Sequence, residues 1–129
     1  MSKPWTYIAS AYTLGDAALN TRYQCEVWDK LFSDGIVLPF APLWSHWQHT
    51  IFPRPYLDWI AYDNELLTRF DCILRLDASY EFSDGSTYYQ SESTGADNEV
   101  RQFEDMGKPV FYAIEDLYAW ANQRQESLA

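Results

Sequence analysis

Apolar positions recur along this chain in two rhythms that take turns. Trp5 to Ala9 is a short apolar and aromatic run of the kind a buried strand shows, followed by turn-like Ser10, Thr13 and Gly15. From Asp16 the spacing becomes helical, with Ala17, Thr21, Cys25, Trp28, Leu31 and Phe32 on one stripe and Gly35 placed to end it. Residues 36–40 read as a second strand. Pro39, Pro42, Pro53 and Pro55 then bracket what their spacing predicts to be an irregular loop, which holds Trp44, Ser45, His46, Trp47 and His49. Beyond it the pattern predicts a helix over 56–70, a third strand over 72–76, a helix over 94–106 ending at Gly107, a fourth strand over 109–113 and a closing helix over 114–123.

This alternation implies a parallel sheet with helices on both faces, a three-layer α/β sandwich of the flavodoxin-like kind. Such sheets bind ligands beyond the carboxyl ends of their strands. No internal repeat or low-complexity segment interrupts the order. Residues 79–93, however, are polar, aromatic and long for a connection in such a domain.

Composition narrows the picture. At 129 residues, 47% hydrophobic and 18% aromatic, the chain has the size of one domain and the means to bury a core. Residues 1–13 lack the apolar run of a signal peptide, and no stretch approaches the ~20 apolar residues of a membrane span, so a cytosolic protein with no membrane partner is expected. Cys25 falls on a predicted helix and Cys72 on a predicted strand, which favours two buried thiols over a disulfide or a metal site. A net charge of −10 argues against a nucleic-acid polymer, which needs basic residues to neutralise successive phosphates. The same acidity serves solubility, and a small ligand's charge would be met by local groups.

Two carboxylates stand where carboxylates are unusual. On the helix 56–70, Asp63 lies amid Trp59, Ile60, Leu66, Leu67 and Phe70. There it would lose hydration and have its pKa raised, as an acid used in proton transfer requires, unless it caps a loop or meets an arginine at the rim. The run from Ser93 through Thr94, Gly95, Ala96, Asp97 and Asn98 to Glu99 enters a helix whose inner face is Val100, Phe103 and Met106. Thr94 with Asp97 resembles a capping box, and free N–H groups at such an end can hold an anion or a sugar hydroxyl. Glu99 just inside this helix would sit near the ligand end of the sheet, although the helix dipole favours an acid there without any function. His46 and His49, three apart with no clear third ligand, do not define a metal site. Trp44, Trp47, Phe52, Tyr56 and Trp59 read as core or interface aromatics or as a base-stacking platform, and Tyr7 as a core residue or a phenol aimed into a site.

Taken together, these positions resemble the nucleoside 2-deoxyribosyltransferase-like superfamily, and within it a branch of small bacterial and phage proteins of unassigned function. The resemblance runs from Tyr7-Ile8-Ala9-Ser10-Ala11-Tyr12-Thr13, similar to the family's first strand and the loop beneath the sugar, through Ser45-His46 after the second strand. Its most specific parts are Asp63 and Asp71 eight apart, then Ser93-x-Gly95-x-x-x-Glu99, Phe103 and Gly107-Lys108-Pro109-Val110. Nearly the whole chain is covered.

What the resemblance implies is an enzyme that cleaves or transfers the N-glycosidic bond of a (2-deoxy)nucleoside or its 5-monophosphate. Glu99 matches the family's nucleophile, Tyr7 the residue that holds it, and Asp63 a residue for proton transfer or hydroxyl recognition. Ala9, Ser10, Ser93, Gly95, His46 and Trp47 would contact the substrate. Ser93 stands where nucleotide hydrolases of the family contact a 5′-phosphate, yet no arginine over 10–15 matches their other phosphate contacts. No cofactor or metal is implied, and a homodimer or higher homo-oligomer is expected. One departure is the longer segment 77–92, with Tyr80, Phe82, Tyr88 and Tyr89, read as a lid or a subunit contact. Two other functions stay open: a non-catalytic module binding a nucleotide or ADP-ribose-like ligand, and an NAD-cleaving glycohydrolase.

Overall fold

The computed structural model describes residues 3–11, 16–76, 80–88 and 93–128, at 88 and 126–128 the backbone alone. Tyr12, Thr13, Gly15, residues 77–79 and residues 89–92, which carried part of the sequence reading, lie outside the described residues. Four strands, β1 (Trp5–Ala9), β2 (Leu38–Phe40), β3 (Cys72–Arg75) and β6 (Val110–Phe111), form one parallel sheet in the order β2-β1-β3-β6. Helices α1 (Ala17–Asp34), α2 (Leu43–Ile51), α3 (Tyr56–Leu67), α4 (Thr94–Asp105) and α5 (Ile114–Leu128) complete a three-layer sandwich, joined by a small antiparallel hairpin of β4 (Tyr80–Glu81) and β5 (Thr87–Tyr88).

Alternation along the strands sorts the two faces of the sheet. Ile8, Cys72 and Leu74 point to one side, against Tyr23, Val27 and Leu31 of α1 and Leu117 and Ala121 of α5. Tyr7, Ala9 and Ile73 point to the other, against Leu67 of α3 and Ala96, Val100 and Phe103 of α4. The central strands are buried along nearly their whole length, as strands covered on both faces are. Asp16 caps α1 by accepting from the Ala18 and Leu19 N–H groups, and Gly35 ends it in the left-handed conformation that a side chain would strain.

Two expectations need correction. The segment between the prolines is not an irregular loop but α2, with Pro42 at its N-cap and Pro53 beyond its end, so neither proline breaks it. The buried face of α1 is Asn20, Tyr23, Gln24, Val27 and Leu31, and Cys25 is exposed, leaving Cys72 as the buried thiol. The sheet covers a face one position away from the most apolar stripe, burying Tyr23, Val27 and Leu31, and Gln24 on that face donates to the Ser10 hydroxyl.

The hairpin belongs to the segment read as a lid or a subunit contact. It docks on α1: Tyr80 stacks on Tyr23, Phe82 is 3% exposed in the core under Arg22, and Arg22 pairs with Asp84 at 2.8 Å. Its described residues lie on the α1 face of the sheet, and none of them lines the cavity.

Candidate active site

The sheet order reverses at β1, since β2 follows it on one side and β3 on the other, and such a point opens a crevice at the carboxyl ends of the strands. A cavity of about 600 Å³ opens here, within the size range of small-molecule sites. Its wall is drawn from β1 (Tyr7) and Ser10 after it, α2 (Ser45, His46, His49), α3 (Trp59, Ile60, Asp63, Asn64) and α4 with its cap (Ser93, Thr94, Gly95, Asn98, Glu99).

Tyr7 brings these parts together. Its ring is 1% exposed and contacts Phe40, Phe70 and Phe103, with centroids 5.8, 5.3 and 6.3 Å away. Aromatic pairs of this kind each add about 0.5–1.5 kcal/mol beyond burial, so the phenol has one direction to point. Its hydroxyl donates to Glu99 Oε2.

Burial pushes the Glu99 carboxyl up to about 7, and the nearby charge of Asp63 pushes the same way, while the Tyr7 hydrogen bond and the Arg75 guanidinium pull it down. Burial, with the adjacent Glu99 charge, also raises the Tyr7 phenol well above its ordinary value, so it stays a donor. Asp63 is half-buried and raised by burial, and it has no hydrogen-bond or ion-pair partner among the described residues. Of the two readings of Asp63, the desolvated acid is therefore the one the fold supports.

Sequence reasoning missed Arg75, although an arginine inside the buried strand 72–76 was a visible anomaly. It is 3% exposed, and its Nε donates to Asp97 Oδ1 at 3.3 Å. This contact ties the first turn of α4 to the end of β3, two residues before Glu99. Asp97 consequently does not form a capping box with Thr94. The cap is Ser93, whose hydroxyl oxygen accepts from the Ala96 N–H at 3.1 Å, so the acid expected three places after the cap is Ala96.

The remaining expected contacts divide. Ser10, Ser93, Gly95 and His46 line the cavity. A Cβ built at Gly95 would meet nothing within 4 Å, so the glycine leaves open room at the mouth. Ala9 does not line it: it is 0% exposed, and its carbonyl accepts from the Leu76 N–H in the sheet. Trp47 does not line it either. Because α2 is a helix, Ser45, His46 and His49 turn to the cavity, while Trp44 and Trp47 turn to a separate apolar cleft of about 250 Å³ beside Cys25 and Trp28.

Among the described residues no group of three histidine, cysteine or acidic side chains is arranged to hold a metal ion, and no helix is long and apolar enough to cross a membrane. What the arrangement offers is a hydrogen-bonded carboxylate, a second desolvated carboxyl and an array of hydroxyl, amide and imidazole groups facing one chamber. Compared with known proteins, the chain matches no family model, no curated protein and no solved structure.

Proposed function

We propose that this protein cleaves or transfers the N-glycosidic bond of a nucleoside or nucleoside 5-monophosphate, with Glu99 as the attacking carboxylate. The observation that carries the reading is the hydrogen bond from Tyr7 to Glu99 inside a chamber that also holds Asp63. These are the three positions to which the resemblance to nucleoside 2-deoxyribosyltransferases assigns the chemistry.

In the first step a Glu99 oxygen forms a bond to C1′ as the bond from C1′ to the base nitrogen breaks, the departing electron pair remaining on the base. Asp63, directly or through water, relays a proton from solvent to the base, a role worth ~10²–10⁴-fold when the group is positioned. Water or a second base then attacks C1′ and frees the carboxylate, and that acceptor decides between hydrolysis and transfer. Tyr7 and Arg75 favour the ionised nucleophile against the cost of burial. The first turn of α4 lines the chamber beside Ser93, and its Thr94 and Gly95 N–H groups, which precede the first intrahelical bond from Asp97 to Ser93, suit a substrate hydroxyl or phosphate oxygen.

Assembly as a homo-oligomer belongs to the same proposal. Trp47, Ile51, Phe52, Tyr56 and Leu57 are between 56% and 74% exposed along α2 and α3, an apolar surface of the kind that subunits bury.

Incubating the protein with 2′-deoxynucleosides, their monophosphates and NAD, and measuring free base, tests the reaction. Base release that Glu99→Ala abolishes supports it; equal release by wild type and variant, or none from any substrate, ends it. Release of nicotinamide alone would favour NAD cleavage, and binding without turnover a sensing module.

A further inference from the structure

His49, toward the end of α2, takes no part in the chemistry assigned to Tyr7, Asp63 and Glu99. Its Nδ1 accepts two hydrogen bonds, from the Trp59 indole N–H at 2.8 Å and from the Arg54 backbone N–H at 3.2 Å. A neutral imidazole carries one proton, and a nitrogen accepting from two donors is not the one that bears it. The proton therefore sits on Nε2. The Trp59 ring also lies edge-on to the imidazole, with centroids 6.0 Å apart at 70°, so both the tautomer and the ring plane are held. His49 lines the cavity, and with Nδ1 engaged the polar ring group left for a ligand is the Nε2–H donor.

The neighbouring wall indicates what that donor meets. Tyr56 and Trp59 bring aromatic surface to the same chamber. Trp59 is braced edge-on by Trp44 and Tyr62, each with its centroid 6.3 Å away. A fixed flat face beside a fixed N–H suits a planar heterocycle: the face stacks on the ring, and the donor reads an acceptor atom on its edge.

We propose that His49, held as the Nε2–H tautomer by Trp59 and Arg54, donates a hydrogen bond to an acceptor edge of the heteroaromatic base in this cavity. This rests on the N-glycosidase reading, and it names the part of the site that recognises the leaving group. Such a bond strengthens as the base takes up electron density, so it contributes to turnover as well as to binding.

Asparagine at this position places an amide oxygen near Nδ1, keeping an acceptor for Trp59 and Arg54, but supplies no donor near Nε2. His49→Asn should thus fold normally and lower kcat/KM for base release by about 10–100-fold. His49→Gln, with an amide nitrogen near Nε2, should recover part of that loss. Long-range 1H–15N NMR of the imidazole is independent of turnover. It should show the proton on Nε2, and that resonance should move on adding free adenine or uracil. A proton on Nδ1 overturns the inference, as does an Nε2 signal that stays still while the Trp59 indole N–H shifts with either base. An Asn variant as active as wild type overturns it too. If neither base moves any cavity resonance and no substrate is cleaved, the glycosidase reading itself has failed, and this one falls with it.

Discussion

The Tyr7 hydroxyl, on the first strand, donates to a carboxylate oxygen of Glu99, 92 positions later on α4. The bond joins the most buried layer of the molecule to its open chamber. Tyr7 is wedged among three phenylalanines and cannot turn away, while the Glu99 carboxyl is withdrawn from water and compensated by this donor and by Arg75. A carboxylate so placed is held in one position yet kept close to its protonated form. Its ionisation, and hence its capacity to attack a sugar carbon, can be moved by changing any one of its neighbours.

Removing the donor moves it up. Tyr7→Phe keeps the ring packing but deletes a hydrogen bond that lowers the Glu99 pKa from a value already near 7. A hydrogen bond to a charged group is worth about 1.5–3 kcal/mol. The acidic limb of the profile of kcat/KM against pH should therefore rise by about 1–2 pH units, with lower activity at pH 7. An unmoved limb would detach Tyr7 from the ionisation of Glu99.

Removing the second acid moves it down. The charge of Asp63 raises the Glu99 pKa, so Asp63→Asn should shift the same limb to lower pH, opposite in sign to Tyr7→Phe. Loss of the proton relay should at the same time reduce kcat by ~10²–10⁴-fold. Pre-steady-state kinetics with a substrate whose base leaves without protonation should show most of that loss recovered.

Stability should respond to pH through Glu99 with an unusual sign. Its folded-state pKa, about 7, lies above the unfolded value near 4.5, so the folded state binds the extra proton. The stabilisation this confers is complete below the unfolded pKa and is lost as pH rises through about 7. Glu99→Gln mimics the protonated carboxyl and still accepts from Tyr7. The variant should exceed wild type in unfolding free energy by roughly 1–3 kcal/mol at pH 8 and match it at pH 4, as read by urea denaturation at the two pH values.

Hairpin and site should be separable. Phe82 fills the core beneath Arg22 on the α1 face of the sheet and does not line the cavity. Phe82→Ala should cost about 3–5 kcal/mol of stability, by denaturant melts, while KM for the substrate is unchanged below the new melting range. A large rise in KM without loss of stability would support the lid reading.

How much of this was legible beforehand depended on how local each cause was. The alternation of apolar runs that makes four parallel strands and their covering helices is a short-range property, and each strand appears where its run predicts. The caps of α1 are local too, Asp16 at one end and Gly35 at the other. Asp63 stood out because its apolar neighbours lie on its own helix. Arg75 could have been noticed for the same reason, a charge inside a buried strand.

Other features depend on contacts that no window of sequence contains. The segment 43–51 is an exception whose signal was local: prolines flank it, but its apolar residues Leu43, Trp44, Trp47 and Ile51 have helical spacing, and as α2 they separate His46 and His49 from Trp47. Which face of α1 is buried was settled by what covers it, with Gln24 drawn inward to Ser10. The hairpin found its place through Arg22, Tyr23 and Glu26 on α1, far from it along the chain. Local spacing thus determined the four strands of the parallel sheet, most of the helices and the two suspect acids. Packing of the sheet against α3 and α4 decided that Tyr7 and Glu99 meet, because a hydrogen bond between positions 92 apart exists only once the intervening elements have buried their apolar faces together.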